Sequence, residues 1–423
     1  MRVLLFQRHD SYRFIADFAR DFEDAGHTAA WIPSTEGPRL PAHLRHFGPD
    51  FVFCVGASPA VAKAVGGRVP VVYYELDKIL NHALWDGTPA GDRDVVFTTY
   101  RDDIGLFRQF GFQHVHYLPF CPNISRRSID DADHAAAGCR DEGVTFVGSF
   151  AGETANDYRM LLVHARNKLA NQPEAFSVFR RLADHLAGIL AEQDRHLASL
   201  EYRIPELLET HSTPEIEAAK IRFRLPTPTL AALLAKEVAY RQRKLWIEQL
   251  PFIDVWGPDQ PHSPPPGVTY HGPVDQYEGC AQVFRTAAAN LSLQRLYARD
   301  GLSDRVFNVM AAGGCLLADA NPAVLELFEP GFDLLTYSSP EELREQTARL
   351  QADIPLRTRL ARNGRRCVEA RHLFRHRIDE MLVRLPGAPI AAAPRVTAPR
   401  AAAGIGCFPE PPEGDRHLAA NSN

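Results

Sequence analysis

The sequence has 423 residues, of which 45% are hydrophobic and 23% are charged, and its net charge is −5. These values are typical of a soluble globular protein, and the length suggests two domains. The charge gives no electrostatic reason to expect nucleic acid or an anionic membrane as a partner. No segment approaches the roughly 18 consecutive apolar residues of a transmembrane helix.

The seven cysteines are scattered along the chain, and none forms a Cys-x-x-Cys pair. Neither a zinc site nor a disulfide framework is therefore indicated, and we expect a cytoplasmic protein. The apolar run at residues 3–6 is too short for a signal peptide and is interpreted as a first buried strand.

Residues 1–140 alternate short apolar segments with helical patterns, including an amphipathic helix at Tyr12–Ala25. This alternation predicts a Rossmann-like domain, in which helices cover both faces of a parallel sheet and ligands bind beyond the carboxyl ends of strands. The predicted strands are Val3–Phe6, Thr28–Ile32, Phe51–Val55, Val69–Tyr74, Val95–Thr98 and Val115–Leu118.

Residues 141–386 predict a second domain of the same class, interrupted by an almost wholly helical insertion at about 155–250. The insertion is interpreted either as packing on its own domain or as an elaboration that binds an acceptor or partner. The Ala/Pro-rich tail, residues 387–423, is predicted to be disordered. Strands are predicted at 144–149, 253–256, 269–274, 289–293 and 315–318, and helices at 340–352, 355–369 and 371–384.

The segment Asp300–Asp319 is typical of a polar loop, an amphipathic helix, a glycine stop and a buried strand. Ser303 and Asp304 are plausible N-caps. Arg305 lies in the first helical turn, where the helix dipole disfavours a cation, and a bound phosphate would resolve that conflict. The alternative is an ordinary helix–strand connection with a surface arginine.

With its neighbours, this segment resembles the CgeB-like group of GT-B glycosyltransferases, which carry a Gly-x-x-x-Arg-Val-Phe-Glu-x-x-Ala-Ala-Gly helix. The resemblance covers residues 265–385 well and residues 1–150 loosely. It implies two facing Rossmann-like domains, with the nucleotide-sugar donor on the second and the acceptor on the first. The matching residues are Gly301, Arg305, Val306, Phe307, Asn308, Ala311, Ala312, Gly313, Asp319 and Glu326–Gly331.

The resemblance also implies a set of donor-binding residues. Arg305 and Ser149 would bind the diphosphate, and Arg159 and Arg241 are weaker phosphate candidates. Many retaining members carry two glutamates seven residues apart, where this chain has Asp300 near the transferred sugar and Asn308 at the ribose. The remaining expected donor contacts, which include the nucleobase segment, are Gly257, His271, Gly272, Val274, Gly301, Ser303 and Asp304.

On the acceptor side, His9 follows the first strand and Asp77 follows the fourth. Either side chain would serve as the base on an acceptor hydroxyl if the reaction inverts, whereas the donor phosphate accepts the proton if it retains. The alternatives are a loop cap for Asp77 and a polar loop for His9.

The predicted function is metal-independent transfer of a sugar from a nucleotide-diphosphate sugar to a hydroxyl of a surface glycan, a lipid-linked glycan or a protein. The class is hexosyl or related transferase, with no cofactor besides the donor as co-substrate. A degenerate GT-B interaction protein that uses the 155–250 helices and a nucleotide-sugar epimerase remain as alternatives. A peripheral membrane or protein partner, the oligomeric state and the identities of base, sugar and acceptor stay open.

Overall fold

The computed structural model describes residues 1–8, 13–79, 85–130, 143–149, 157–258 and 264–386. Within these ranges the strands form two parallel six-stranded sheets, one in each half of the chain. The strands are β1 (Arg2–Phe6), β2 (Thr28–Ile32), β3 (Phe51–Val55), β4 (Val71–Glu75), β5 (Val95–Thr98), β6 (His114–Tyr117), β7 (Val144–Val147), β8 (Ile253–Trp256), β9 (Val268–Gly272), β10 (Ala289–Ser292), β11 (Leu316–Asp319) and β12 (Leu335–Tyr337).

The first sheet has the order β2-β1-β3-β4-β5-β6. Its inner strands are buried on both faces, since alternate residues enter two different cores. Val3 and Leu5 contribute to one, and Leu4 and Phe6 to the other. The helices around it are α1 (Ile15–Asp24), α2 (Leu40–Phe47), α3 (Pro59–Val65), α4 (Asp103–Gln109) and α5 (Arg126–Asp130).

The second sheet has the order β12-β11-β10-β7-β8-β9. If the strands are numbered from β7, this is the 3-2-1-4-5-6 order of a dinucleotide-binding Rossmann domain. In this order the direction in which successive strands are added to the sheet reverses between β7 and β10. The two sheets with their helices confirm the predicted fold class.

The helical insertion comprises α6 (Asp157–Lys168), α7 (Pro173–Asp194), α8 (Ile204–Thr210), α9 (Pro214–Phe223) and α10 (Thr227–Ile247). Its apolar residues share one core with β7, β8 and β10 of its own domain. Trp246 is fully buried in that core, and its indole nitrogen donates to the carbonyl oxygen of Leu197 at 3.0 Å. The insertion therefore covers one face of the second sheet.

The other helices of the second half are α11 (Gly279–Thr286), α12 (Asp304–Ala311), α13 (Pro322–Leu327), α14 (Pro340–Ala352), α15 (Ile354–Arg371) and α16 (Phe374–Val383). Helix α16 crosses back to the first domain. Phe374 stacks on Phe18 with ring centroids 3.5 Å apart, and Arg377 donates to the carbonyl oxygen of Phe120 at 2.9 Å. One apolar core consequently continues from the first domain into the second.

The structure lengthens or shortens several predicted elements. The predicted helix at Tyr12–Ala25 begins at Ile15, and β12 was not predicted. The predicted disordered tail at 387–423 lies outside the described residues, as does His9. Among the helices that are described, none has the length and apolar character required to cross a bilayer.

Candidate functional site

The second domain places two strand ends side by side where its winding reverses. Strand β7 pairs with β10 in parallel, so the residues that follow them, Ser149 and Arg295, leave the same edge of the sheet. In open α/β sheets, ligands bind outside the carboxyl ends of the strands at this reversal point. This edge is therefore the candidate ligand site of the second domain.

The side chain of Gln242 connects helix α10 to the loop that follows β10 through two hydrogen bonds. Its side chain is fully buried, and its Nε2 donates to the carbonyl oxygen of Gln294 at 2.9 Å. Its Oε1 accepts from the amide of Leu296 at 3.2 Å. These two bonds fix the residues on either side of Arg295 next to Gln242. Because Gln242 directly precedes Arg243 in the chain, Arg243 and Arg295 lie close to each other.

Arg243 is a buried cation, with only 7% of its surface exposed. One guanidinium nitrogen donates to the carbonyl oxygen of Ser149, and the group lies 5.6 Å from the centroid of the Phe146 ring. Its Nε is buried without a hydrogen-bond partner among the described residues. Burial, followed by the nearby charges of Arg295 and Arg305, lowers the pKa of Arg243 to about 9.

Arg305 approaches the same place from the first turn of α12. Its guanidinium lies 5.4 Å from the centroid of the Phe284 ring, and its Nη1 is buried without a partner in the described part of the chain. Within that part, neither Arg305 nor Arg243 nor Arg295 forms an ion pair with a carboxylate. A bound anion would supply the missing negative charge. We call Arg243, Arg295 and Arg305 the arginine cluster.

The two weaker phosphate candidates are occupied elsewhere. Glu237 is 1% exposed and binds both of them, Arg159 at 2.9 Å and Arg241 at 2.8 Å. Arg241 also pairs with Asp194 at 2.6 Å. These two charges are compensated by carboxylates, and their role as phosphate ligands stays a prediction. Arg243, which was not selected from the sequence, donates to Ser149.

Asp300 contacts the first domain. Its Oδ2 lies 2.9 Å from Nζ of Lys78 and accepts from the amide of Asp102 at 2.8 Å. Nζ of Lys78 also lies 3.3 Å from Oδ1 of Asp103. The Asp300 carboxylate therefore forms an ion pair across the domain boundary, and its expected position beside a transferred sugar stays a prediction.

Asn308 is likewise turned inward. It is 1% exposed, its Nδ2 donates to Oδ1 of Asn123 at 2.7 Å, and its Oδ1 accepts from the amide of Asn123 at 2.9 Å. Nδ2 also lies 3.1 Å from Oδ2 of Asp304. The amide group therefore binds the segment that joins the two domains, and the expected ribose contact stays a prediction.

Two of the predicted donor-site glycines serve close backbone packing. A Cβ on Gly301 would collide with the carbonyl oxygen of Thr99, and one on Gly257 would collide with the carbonyl oxygen of Gly148. Ser303 lies at the start of α12, where its amide donates to Oε1 of Gln294 at 3.2 Å. Gly301 therefore belongs to the domain contact, whereas Gly257 and Ser303 flank the site edge.

The segment expected to receive the nucleobase lies at the ends of β8 and β9. The rings of His271 and Trp256 stack with centroids 4.4 Å apart and planes 11° apart. Nε2 of His271 is 2.6 Å from Oδ1 of Asp254, which orients the imidazole. Gly272 follows with φ of +82°, and Val274 lies in the loop before α11. The structure brings these residues together.

The first domain contributes acidic groups beyond β4. Glu75 is 6% exposed, with Oε2 accepting from the amide of Ala57 at 2.7 Å and Oε1 from the amide of Asp77 at 3.3 Å. Asp77 is exposed and lies within electrostatic range of Arg295. Asp77 thus faces the second domain, while the other predicted base, His9, lies outside the described residues.

The arginine cluster falls within a recognisable family segment. Residues 229–383 match the family described as glycosyl transferase-like. The match covers a little more than a third of the chain. The two Rossmann-like domains agree with the GT-B fold class predicted from the sequence.

Solved structures similar to this chain include HepE of Anabaena in complex with UDP and glucose, at 13% identity and a TM-score of 0.43, with 90% of this chain and 99% of that chain covered. Sucrose-phosphate synthase of Thermosynechococcus elongatus is 11% identical, with coverages of 90% and 98% and a TM-score of 0.46. BGT of phage T4 in complex with UDP-glucose is 9% identical, with coverages of 90% and 97% and a TM-score of 0.46. No curated protein matches the chain.

The positive charge of this candidate site comes from guanidinium groups. In the described part of the chain, His, Cys, Asp and Glu side chains do not gather in groups of three that could hold a metal ion. Arg305 and Ser149 were selected as candidates from the sequence, whereas Arg243 and Arg295 were not. The signal for Arg243 was present in the basic run, whereas Arg295 had no motif of its own.

Proposed function

We propose that this chain transfers a sugar from a nucleotide-diphosphate sugar to a hydroxyl acceptor. The observation that carries the proposal is the arginine cluster, which lies at the strand reversal point of the second domain without carboxylate partners among the described residues. A diphosphate presents the charge that this cluster lacks, and the match to the glycosyl transferase-like family supports a glycosyl donor.

Arg243 and Arg305 are proposed to bind the diphosphate together with the hydroxyl of Ser149. Their positive charge would stabilise the departing nucleotide, so the reaction is proposed to need no metal ion and no cofactor besides the donor. The nucleobase would lie against the segment His271–Val274, where backbone groups can bind its edge.

The acceptor is proposed to bind to the first domain, with Asp77 or His9 as the base if the reaction inverts. Asp77 is supported by its exposed position opposite Arg295. Closure of the cleft would exclude water and align the acceptor hydroxyl with the anomeric carbon. A surface glycan, a lipid-linked glycan and a protein are the proposed acceptor classes, in a cytoplasmic, CgeB-like enzyme.

One observation favours a second candidate, a GT-B interaction protein without transferase activity. Asp300 and Asn308 replace the two glutamates of many retaining members, and both side chains form domain contacts. An epimerase, in contrast, would release no nucleotide in response to an acceptor. Binding of a nucleotide diphosphate separates the enzymatic candidates from the interaction protein.

The experiment is thermal unfolding of the full chain with UDP, GDP, dTDP, CMP and ADP, each with and without an attached sugar. At about 100 times its dissociation constant, the correct ligand adds about 2.7 kcal/mol to the free energy of unfolding. We expect Arg305→Gln and Arg243→Met to lose most of this gain, since each removes a cation that binds phosphate.

The matched control is Arg241→Gln, which lies on the same helix and is paired with Glu237. It should retain the ligand-induced shift, because Arg159 still binds Glu237. Arg243→Met is expected to fold, since it replaces a buried, uncompensated charge by an apolar side chain. A wild-type protein stabilised by none of these ligands would refute the donor site and favour the interaction protein.

A further inference from the structure

Arg295 lies in the loop after β10, one of the two strands that flank the reversal point of the second sheet. It is exposed, yet its place is fixed. Its backbone lies between the two groups bonded by Gln242, and its Nη1 donates to the hydroxyl of Tyr297 at 2.8 Å. Among the described residues no carboxylate forms an ion pair with this guanidinium, so Arg295 differs from an arginine in a surface ion pair.

The neighbours of Arg295 come from both domains. On one side is Arg243, and on the other Asp77 and Tyr100 of the first domain lie within electrostatic range. The adjacent Gln294 hydrogen bonds to Tyr100. Arg295 therefore stands between the buried cations and the first domain.

The charge of the bound diphosphate changes during the reaction. A nucleotide-diphosphate sugar carries two negative charges on its diphosphate. When the bond between the anomeric carbon and the β-phosphate oxygen breaks, the electron pair stays on that oxygen and adds a third. The acceptor oxygen forms the new bond to the anomeric carbon, and its proton passes to the base.

We infer that Arg295 is a further catalytic residue, which binds the β-phosphate oxygen that becomes charged as the sugar departs. The inference rests on the proposed function. Arg243 and Arg305 match the two charges present in the donor, and Arg295 matches the charge that appears only as the bond breaks. Such an interaction is stronger with the leaving group than with the substrate, which is the requirement for lowering the barrier.

The inference is tested by titration calorimetry of the full chain with UDP and UDP-glucose at pH 8, using the base that gives the largest thermal shift if it is not uracil. In Arg295→Gln we expect the dissociation constant of the nucleoside diphosphate to rise about tenfold, as for a lost charge-assisted bond. The dissociation constant of the nucleotide sugar should change less than about threefold.

A pH series provides a readout that a purely structural role would not affect. The terminal phosphate of a nucleoside diphosphate loses its second proton near pH 6, whereas the diester of a nucleotide sugar has no such proton. The preference of the wild-type protein for the diphosphate should therefore fall between pH 8 and pH 5. In Arg295→Gln the same preference should be small and nearly independent of pH.

The matched control is Arg344→Gln, an exposed arginine of the same domain whose partners are Gln249 and Glu341. It should leave both affinities unchanged. Equal losses for the two ligands in Arg295→Gln would overturn the inference in favour of uniform binding. Unchanged affinity for both would assign Arg295 to another group, such as an anionic acceptor. If the wild-type protein binds neither ligand, the proposed function itself fails.

Discussion

Glu75 is a buried carboxylate at the end of β4, where it accepts hydrogen bonds from the amides of Ala57 and Asp77. The groups that face it are the Arg8 guanidinium, the Cys54 thiol and the Asp77 carboxylate. Burial, which the amide bonds only partly offset, raises the pKa of Glu75 to about 7. This side chain therefore titrates near neutral pH while holding two loops that line the cleft.

The pH dependence of stability should reveal Glu75. In the unfolded chain its carboxyl ionises near its ordinary pKa, so between about pH 4.5 and 7 the folded state binds more protons and stability falls as pH rises. The raised pKa corresponds to a loss on the order of 3 kcal/mol across this window. Glu75→Gln should abolish this component, measured by denaturant unfolding of both proteins at several pH values. Parallel stability curves would contradict the raised pKa.

At the residue scale, part of the candidate site could be selected from the sequence. Arg305 and Ser149 were predictable because an arginine in a first helical turn and a Gly-Ser pair after a strand are local patterns. Arg243 was missed because residues two apart on a helix point in different directions, and only the packing of α10 selects between Arg241 and Arg243. Arg295 depends on Gln242, a contact that no local pattern reveals.

At the element scale, the loop before α12 meets the loop after β5. Tyr100 and Gly301 form an isolated antiparallel bridge, and a Cβ on Gly301 would collide with the carbonyl oxygen of Thr99. The contact is backbone against backbone, so no side-chain rotation can relieve the collision. Gly301 thus sets how closely the two domains approach at this point.

Gly301→Ala should destabilise the protein by about 1–3 kcal/mol, because the added methyl group forces backbone atoms apart. Gly188→Ala is the matched control, since Gly188 lies within α7 and a Cβ there meets open space. That substitution should stabilise the protein by about 0.5–1 kcal/mol through helix propensity. Denaturant unfolding measures both, and equal effects of the two substitutions would exclude a steric role for Gly301.

The boundaries of strands were predictable where a short run of strand-forming residues is clearly bounded in the sequence. The predicted strands Thr28–Ile32, Phe51–Val55 and Val95–Thr98 agree with the structure, because each is followed by a proline, a glycine or a polar residue. Strand β12 spans only three residues, too few to show a period. Its assignment requires pairing with β11, which is a property of the assembled sheet.

At the scale of the whole molecule, the fold class followed from alternation of strands and helices, but the contacts across the cleft did not. Lys78 binds Asp300 at 2.9 Å from the opposite domain, with the lysine side chain only 10% exposed. These residues are more than two hundred positions apart in the sequence, so no spacing rule relates them. They form a partly buried ionic link between the domains.

Asp300→Asn should weaken this link by about 1–3 kcal/mol, as expected for a hydrogen bond to a charged group. Glu326→Gln is the control, since its partner Arg101 and Glu326 itself are exposed and such pairs contribute about 0–1 kcal/mol. Differential scanning calorimetry should show less cooperative unfolding of the domains for Asp300→Asn alone. Identical scans for the two variants would show that the link does not couple the domains.

Helix α16 gives the protein an unusual dependence on the order of its synthesis. Phe18 is synthesised long before Phe374, the ring that stacks on it, which belongs to the last described helix. Until that helix emerges, Phe18, Phe22 and Phe53 lack their ring contacts with Phe374. The core of the first domain is therefore completed only after the second domain has been synthesised, and a fragment ending before α16 should be prone to aggregation.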